Sequence, residues 1–308
     1  MRAVAGPGRL AWRISGVATA AALAIPGIWL LAHAGSPVLQ SRETISATPS
    51  GKFRGPAPTA TQQVTITQPV TSLDVHSYGA PIQVTAESGS RDVTVTEGLT
   101  YSGHRPAVTA AVSHGVLTLD APACGSANCQ VAFTVTVPAR VAVTAVSGGG
   151  VIIVEGTAGA DLSSGGGAVE ASNIDGPLQA STGGGPLTVV NLTGSLQAGT
   201  GSGPVFAAGV TASTATIATG GGGVRLWFAA APDSVRVATG GGAAYLSVPG
   251  GPYALTTDSG GGPQSVDLAT APSAARSINV STSGGALQIG PQGMAGFPSA
   301  PVAPLPPE

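Results

Sequence analysis

Charge is what this chain has least of. Only 8% of its 308 residues are charged, the net charge is −2, and there is a single lysine, Lys52. Phosphate backbones are held by clustered Lys and Arg, so nucleic-acid binding is excluded. Disorder goes with low hydrophobicity and high charge. A chain that is 43% apolar and nearly uncharged reads instead as a folded body built from small residues. Aromatics number only twelve. Histidine is confined to His33, His76, His104 and His114, so residues 141–289 hold no His, and they hold no Cys or Lys either. A Ser-His-Asp arrangement would need a histidine from outside that span. Cysteine is down to Cys124 and Cys129. Two thiolates without a third and fourth ligand make no structural zinc site, and four intervening residues do not form a CxxC redox motif. In an exported chain the pair reads as a disulfide across Gly-Ser-Ala-Asn, worth about 2 kcal/mol.

Export is the expectation from the N-terminus. Arg2, Arg9 and Arg13 precede an uncharged apolar run of 21 residues, Ile14 to Ala34, close to the ~20 that cross a bilayer. Arginines ahead of the run keep the N-terminus in the cytoplasm and place the rest of the chain outside. Ala32-His33-Ala34 has the small-x-small form of a signal peptidase site, which would release the body after Ala34. Trp12 and Trp29 flank the run as interfacial anchors do, and the run exceeds a usual signal core. Retention as a single-pass anchor is the favoured reading, with secretion the alternative.

Residues 35–60 are rich in Ser, Pro and Thr without apolar periodicity and read as a flexible spacer. From Thr61 the pattern alternates: Val64-Thr-Ile66, Leu73-Asp-Val75, Ile82-Gln-Val84, Val93-Thr-Val95, Leu117-Thr-Leu119, Phe133-Thr-Val135. Period-two β-branched residues between turn residues predict half-buried strands. Between Val141 and Ile289 an internal repeat takes over. A Gly-rich triplet follows Ser147, Ser164, Thr182, Thr200, Thr219, Thr239, Ser259 and, degraded, Thr282. Behind each triplet sits an apolar pair such as Ile152/Val154, Leu187/Val189 or Val224/Leu226, and only Gln264 breaks the column. Ahead of each triplet sits another pair, such as Ala160/Leu162 or Val235/Val237. Eight copies sharing one register predict stacked rungs of strand, turn, strand and glycine corner, a β-solenoid with a narrow core that no single rung could bury. The glycines are expected to supply positive-φ corners, so that Gly184→Val should destabilise far more than Ala168→Val.

The all-β chain thus divides into a cytoplasmic basic tail (1–13), an anchor or signal segment (14–34), the spacer (35–60), a strand-rich lead-in (61–140), the eight-rung β-solenoid (141–289) and a Pro-rich tail (290–308) expected to be disordered.

Calcium-binding solenoids place Asp in each Gly-rich turn. Here the residue after each triplet is Val151, Ala168, Pro186, Pro204, Gly223, Ala243, Pro263 or Ala286, so no metal or cofactor is expected. Glu155 and Glu170 fall diagonally on one outer sheet with Asp161 on the other wall, and read as solvated acids rather than a glycosidase pair. The chain is expected not to be an enzyme. The outward positions of the strand after the triplet gather Phe206, Arg225, Trp227 and Tyr245 on three consecutive rungs. Aromatics and Arg are enriched at binding hot spots, which makes these four the candidate binding patch, open or covered by another segment. The opposite wall presents a polar ladder, Asp161, Gln179, Gln197, Thr216, Arg236, Thr256 and Asn279, read as solvated.

The Thr/Ser-Gly-x-Gly-x-Val-x-Val rungs, the opening Val70-Thr-Ser-Leu-Asp-Val75 and the Cys129-x-Val-x-Phe-Thr-Val-x-Val-Pro138 strand resemble the candidate-adhesin domain family of bacterial envelope proteins, common in actinobacteria. The resemblance covers Thr61 to Ile289. It departs where members carry Asp after the glycine triplet. It implies an exported β-strand-repeat domain of largely unassigned role, adhesive by similarity. Function is therefore expected to be that of a membrane-tethered surface module binding envelope glycan, a partner protein or itself. The alternative is an envelope-stress or regulatory accessory protein acting through a membrane partner, for which a 13-residue cytoplasmic tail leaves no signalling domain.

Overall fold

The computed structural model describes residues 40–44, 59–101, 105–121, 123 and 129–292. The chain clusters into two units, 1–36 and 37–308, and the described residues belong to the second. They are all β, with no helix. Ile14–Ala34 lies outside them, as do Cys124 and residues 293–308, so the anchor, the bridge and most of the Pro-rich tail are not among what is described; the start of that tail is ordered, with Gly290 paired to Ser247 and Gln292 Nε2 donating to the Phe228 carbonyl at 2.6 Å.

The lead-in supplies β1 (Gln40–Thr44), β2 (Thr59–Ile66), β3 (Ser72–Ser77), β4 (Ile82–Glu87), β5 (Val93–Thr100), β6 (Thr109–Ser113), β7 (Val116–Ala121) and β8 (Gln130–Pro138). The repeats then contribute two strands per copy. These are β9 (Ala142–Ser147) and β10 (Ile152–Glu155), β11 (Ala160–Ser164) and β12 (Val169–Asp175), β13 (Leu178–Thr182) and β14 (Leu187–Thr193), then β15 (Leu196–Thr200) and β16 (Val205–Thr211). The later copies are β17 (Thr214–Thr219) and β18 (Val224–Phe228), β19 (Ser234–Thr239) and β20 (Ala244–Ser247), β21 (Ala254–Asp258) and β22 (Gln264–Val266), and β23 (Ser277–Thr282) and β24 (Leu287–Gly290). One strand of each copy joins an 11-stranded sheet and the other a 13-stranded sheet. Equivalent strands pair in parallel, for example Leu178↔Leu196↔Ala215 and Val169↔Leu187↔Val205, and the register shifts once, between Ala207 and Val210 where β16 meets β18. Alternate side chains therefore form continuous apolar columns, and Leu162, Val169, Leu187, Val189, Val224 and Leu226 are fully buried. Burying a Val or Leu contributes about 1.5–3 kcal/mol, repeated along the stack.

A third inward column was not visible in the period-two pattern. After Ser172 and Val190 the chain takes a left-handed residue, Asn173 (φ 54°) or Asn191 (φ 56°), with Gly209 (φ 67°) at the next level. That conformation shifts the alternation by one, so Ile174, Leu192 and Val210 turn inward and stack in register. Asn tolerates this region and can bond locally. Here Asn191 Nδ2 donates to Asn173 Oδ1 at 3.0 Å, and Asn173 Nδ2 to Glu155 Oε1 at 3.4 Å.

The corners correct one expectation. No glycine of the triplets from Gly148 to Gly242 lies in the left-handed region; among the triplet glycines only Gly260, Gly261 and Gly284 do. Close approach is what demands glycine. A Cβ on Gly167 would stand 2.2 Å from the Gly150 carbonyl oxygen below it, and one on Gly185 would stand 2.3 Å from that of Gly167. The middle glycine faces open space, and the one triplet that spells Gly-Ser-Gly carries its Ser202 there. Gly184 is a middle glycine, whose Cβ would meet only Ser202 Oγ at 3.7 Å. The expected intolerance of Gly184 therefore belongs to Gly183 and Gly185. The preceding Ser or Thr closes the turn from inside: Ser164 Oγ donates to the Gly150 carbonyl and accepts from the Gly167 N–H, each at 2.9 Å.

Both ends of the stack depart from chain order. β3 lies between β7 and β9, and β4 between β8 and β10. The in-register stack thus begins before Val141, with Ser77-Tyr-Gly-Ala80 at the corner. At the other end β23 and β24 insert between β19/β20 and β21/β22. The copy carrying Gln264 is therefore the outermost one, and Gln264, Ser265 and Val266 are all exposed. Its break in the apolar column is that of an end rung, with no further strand beyond it among the described residues. At the opposite end β5, β2 and β1 continue the larger sheet antiparallel from β8, and β6 closes a hairpin on β7. Gln40–Thr44 falls inside the stretch expected to be a flexible spacer. Its sequence carries no apolar period, and it is a strand by its pairing with the β2 edge.

Candidate functional site: an aromatic patch on the larger sheet

The register puts the four predicted residues on one outer face. Phe206, Arg225 and Tyr245 occupy directly paired positions on β16, β18 and β20, and Trp227 lies two residues along β18. Their sequence neighbours Val205, Ala207, Val224, Leu226, Ala244 and Leu246 are buried, as the two-residue alternation requires. The Phe206 and Trp227 rings lie 4.9 Å apart between centroids, with planes tilted by 49°. Such a pair contributes about 0.5–1.5 kcal/mol beyond its area. The Arg225 guanidinium carbon stands 5.6 Å from the centre of the Tyr245 ring, a cation–π geometry. Arg225 is exposed, while Phe206, Trp227 and Tyr245 are half-buried. The patch is thus partly self-packed: a guanidinium and a phenol edge reach solvent beside a tilted ring pair. It can offer stacking, cation–π contact and charge-assisted hydrogen bonds, and it contains no nucleophile or base.

The opposite wall carries the polar ladder. Thr144, Asp161, Gln179 and Gln197 line a shallow groove of about 360 Å³ with Pro177 and Ser195. Burial beside these neighbours pushes the Asp161 carboxyl above its ordinary range. Glu155 and Glu170 are exposed on adjacent strands. His76 Nε2 lies 2.9 Å from Asp74 Oδ1 on the outer face of β3. Among the described residues no three His, Cys, Asp or Glu side chains gather as a metal site. Of the predicted disulfide, Cys129 is described and Cys124 is not.

Two residues escaped sequence reasoning. Tyr78 is 71% exposed at the corner of the β3–β4 rung, in the position where the following rung has Gly148; a triplet-based alignment cannot find a corner without a triplet. Glu97 is 4% exposed, although it is charged. Its signal was the phase it shares with Val93, Val95 and Leu99.

No family model matches the chain, and no curated protein matches it. Several solved structures are similar to it. A candidate adhesin from Bacteroides fragilis is 15% identical with a TM-score of 0.42, over 75% of this chain and 96% of that one. A candidate adhesin from Parabacteroides distasonis is 11% identical with a TM-score of 0.41, over 75% and 97%. A candidate lipid-binding protein from Parabacteroides distasonis is 10% identical with a TM-score of 0.40, over 75% and 96%.

Proposed function

We propose that this chain is an exported, membrane-tethered, non-enzymatic surface module, built as a β-solenoid, that adheres to an envelope glycan, a partner protein or a second copy of itself. The observation that carries the reading is the gathering of Phe206, Arg225, Trp227 and Tyr245 on adjacent strands of one outer face, in a chain with twelve aromatics. The solenoid reading is supported by two sheets fed alternately by each copy, in which equivalent strands of successive copies pair in parallel. Tethering rests on Arg2, Arg9 and Arg13 ahead of Ile14–Ala34, and the expected Cys124–Cys129 bridge suits an oxidising exterior.

The test is attachment of the purified chain to whole envelope fractions. Trp227 is half-buried against Phe206, so Arg225→Glu with Tyr245→Ala is the cleaner double variant. It should lose attachment while far-UV circular dichroism and melting stay near wild type. A folded double variant that attaches as before would move adhesion off this face.

A further inference from the structure

The two sheets are unequal at the lead-in end. Beyond β8 the larger sheet runs on through β5, β2 and β1, whereas the smaller sheet stops at β6, one strand past β7. Among the described residues no strand of the smaller sheet is left to face β2. Under this overhang lies a cavity of about 400 Å³, lined by Gln62 and Val64 of β2, Glu97 and Leu99 of β5, and Arg105 and Val108 of the segment leading into β6. That volume falls within the range of small-molecule sites.

One side chain there makes no sense as packing. Glu97 sits on the inward face of β5, in the column of Val93, Val95 and Leu99, directly across from Gln62 on one side and Phe133 on the other. Turning a carboxylate into an apolar wall costs several kcal/mol unless a partner compensates it. An apolar residue would simply have extended the column. Burial pushes the Glu97 carboxyl up, and the Arg105 guanidinium opposes that only in part. Arg105 itself is exposed at the rim, where it donates to Gln62 Oε1. The deep carboxyl is Glu97, the guanidinium is at the mouth, and the apolar surface that reaches the cavity comes from the half-buried Val108 and Ala110, since Val64 and Leu99 are almost wholly buried.

We propose that this cavity binds a small amphiphilic cation, its apolar body against Val108 and Ala110 and its protonated amine donating to Glu97. The site is separate from the aromatic patch and does not depend on it.

Benzylamine and benzoate test this directly, because they share a ring and differ in head-group charge. Each is titrated into the isotope-labelled full-length chain while backbone amide shifts are followed. Benzylamine should give saturable shifts in β2, β5 and residues 108–110, and benzoate should give none. Glu97→Gln keeps the shape, removes the buried charge, and should weaken benzylamine about 10- to 100-fold. Arg225→Glu with Tyr245→Ala should leave benzylamine binding unchanged, which separates this site from the adhesive face. Absence of saturable shifts with benzylamine, equal affinity in Glu97→Gln, or benzoate binding that disappears in Arg105→Ala would each overturn the proposal.

Discussion

Two adjacent glycines make opposite demands, and replacing each in turn by alanine isolates what the corners require. At Gly185 a Cβ would stand 2.3 Å from the carbonyl oxygen of Gly167, 2.5 Å from its carbon and 2.8 Å from the Ala168 nitrogen. All three are backbone atoms of the corner below, so no side chain can swing aside. Ordinary contact begins near 3.4 Å, so the corners must separate by roughly 1 Å against a strand spacing of about 4.8 Å. The corner below is tied down, since Thr182 Oγ1 donates to that same Gly167 carbonyl at 2.8 Å and accepts from the Gly185 N–H at 3.1 Å. Overpacking of this kind costs about 1–3 kcal/mol, and rupture of the hydroxyl contact adds to it. For a body of this size the melting temperature should fall by about 2–12 °C. Gly184→Ala meets only Ser202 Oγ at 3.7 Å and needs no left-handed backbone. It should be neutral or stabilise by about 0.4–1 kcal/mol through the unfolded chain. Thermal unfolding followed by circular dichroism compares the two. Equal losses, or a larger loss at Gly184, would refute close stacking as the reason for the glycines.

Leu192→Ala, in the inward column set up by the left-handed Asn191, should cost about 2–5 kcal/mol, against no more than about 0.5 kcal/mol for the exposed Thr193→Ala; urea denaturation midpoints decide it. Glu97 titrates above its ordinary 4.5 because burial disfavours the charged form. The folded state then holds the proton more tightly than the unfolded one, and the group's contribution is lost as pH rises from 4.5 through the raised folded value. Glu97→Gln should therefore melt higher than wild type at pH 7 and show a smaller gap at pH 4. A gap that widens on acidification would reverse the sign.

The facing of most strand residues was legible along the chain, because a β-strand alternates its side chains and a repeat shows which phase recurs. Val205, Val224 and Ala244 inward with Phe206, Arg225 and Tyr245 outward follow from that rule alone. The role of the glycines was not legible, since a glycine tolerated for its φ and one required by a neighbour's carbonyl are the same letter. Ile174, Leu192 and Val210 were hidden because one left-handed residue shifts the phase without changing composition. The order of the outer rungs was hidden more deeply. Every copy offers the same register, so sequence similarity cannot say whether β23 stacks on β21 or slips between β21 and β19. That choice belongs to the tertiary structure, where the rung with the weakest apolar pair, Gln264 and Val266, goes to the end and the better-filled Ile278, Val280, Leu287 and Ile289 are buried between neighbours. The overhang of β2 and the cavity beneath Glu97 arise in the same way: the alternation around Val93 and Val95 predicted a strand, but only the unequal count of described strands in the two sheets left its carboxylate lining a cavity with Gln62 and Arg105.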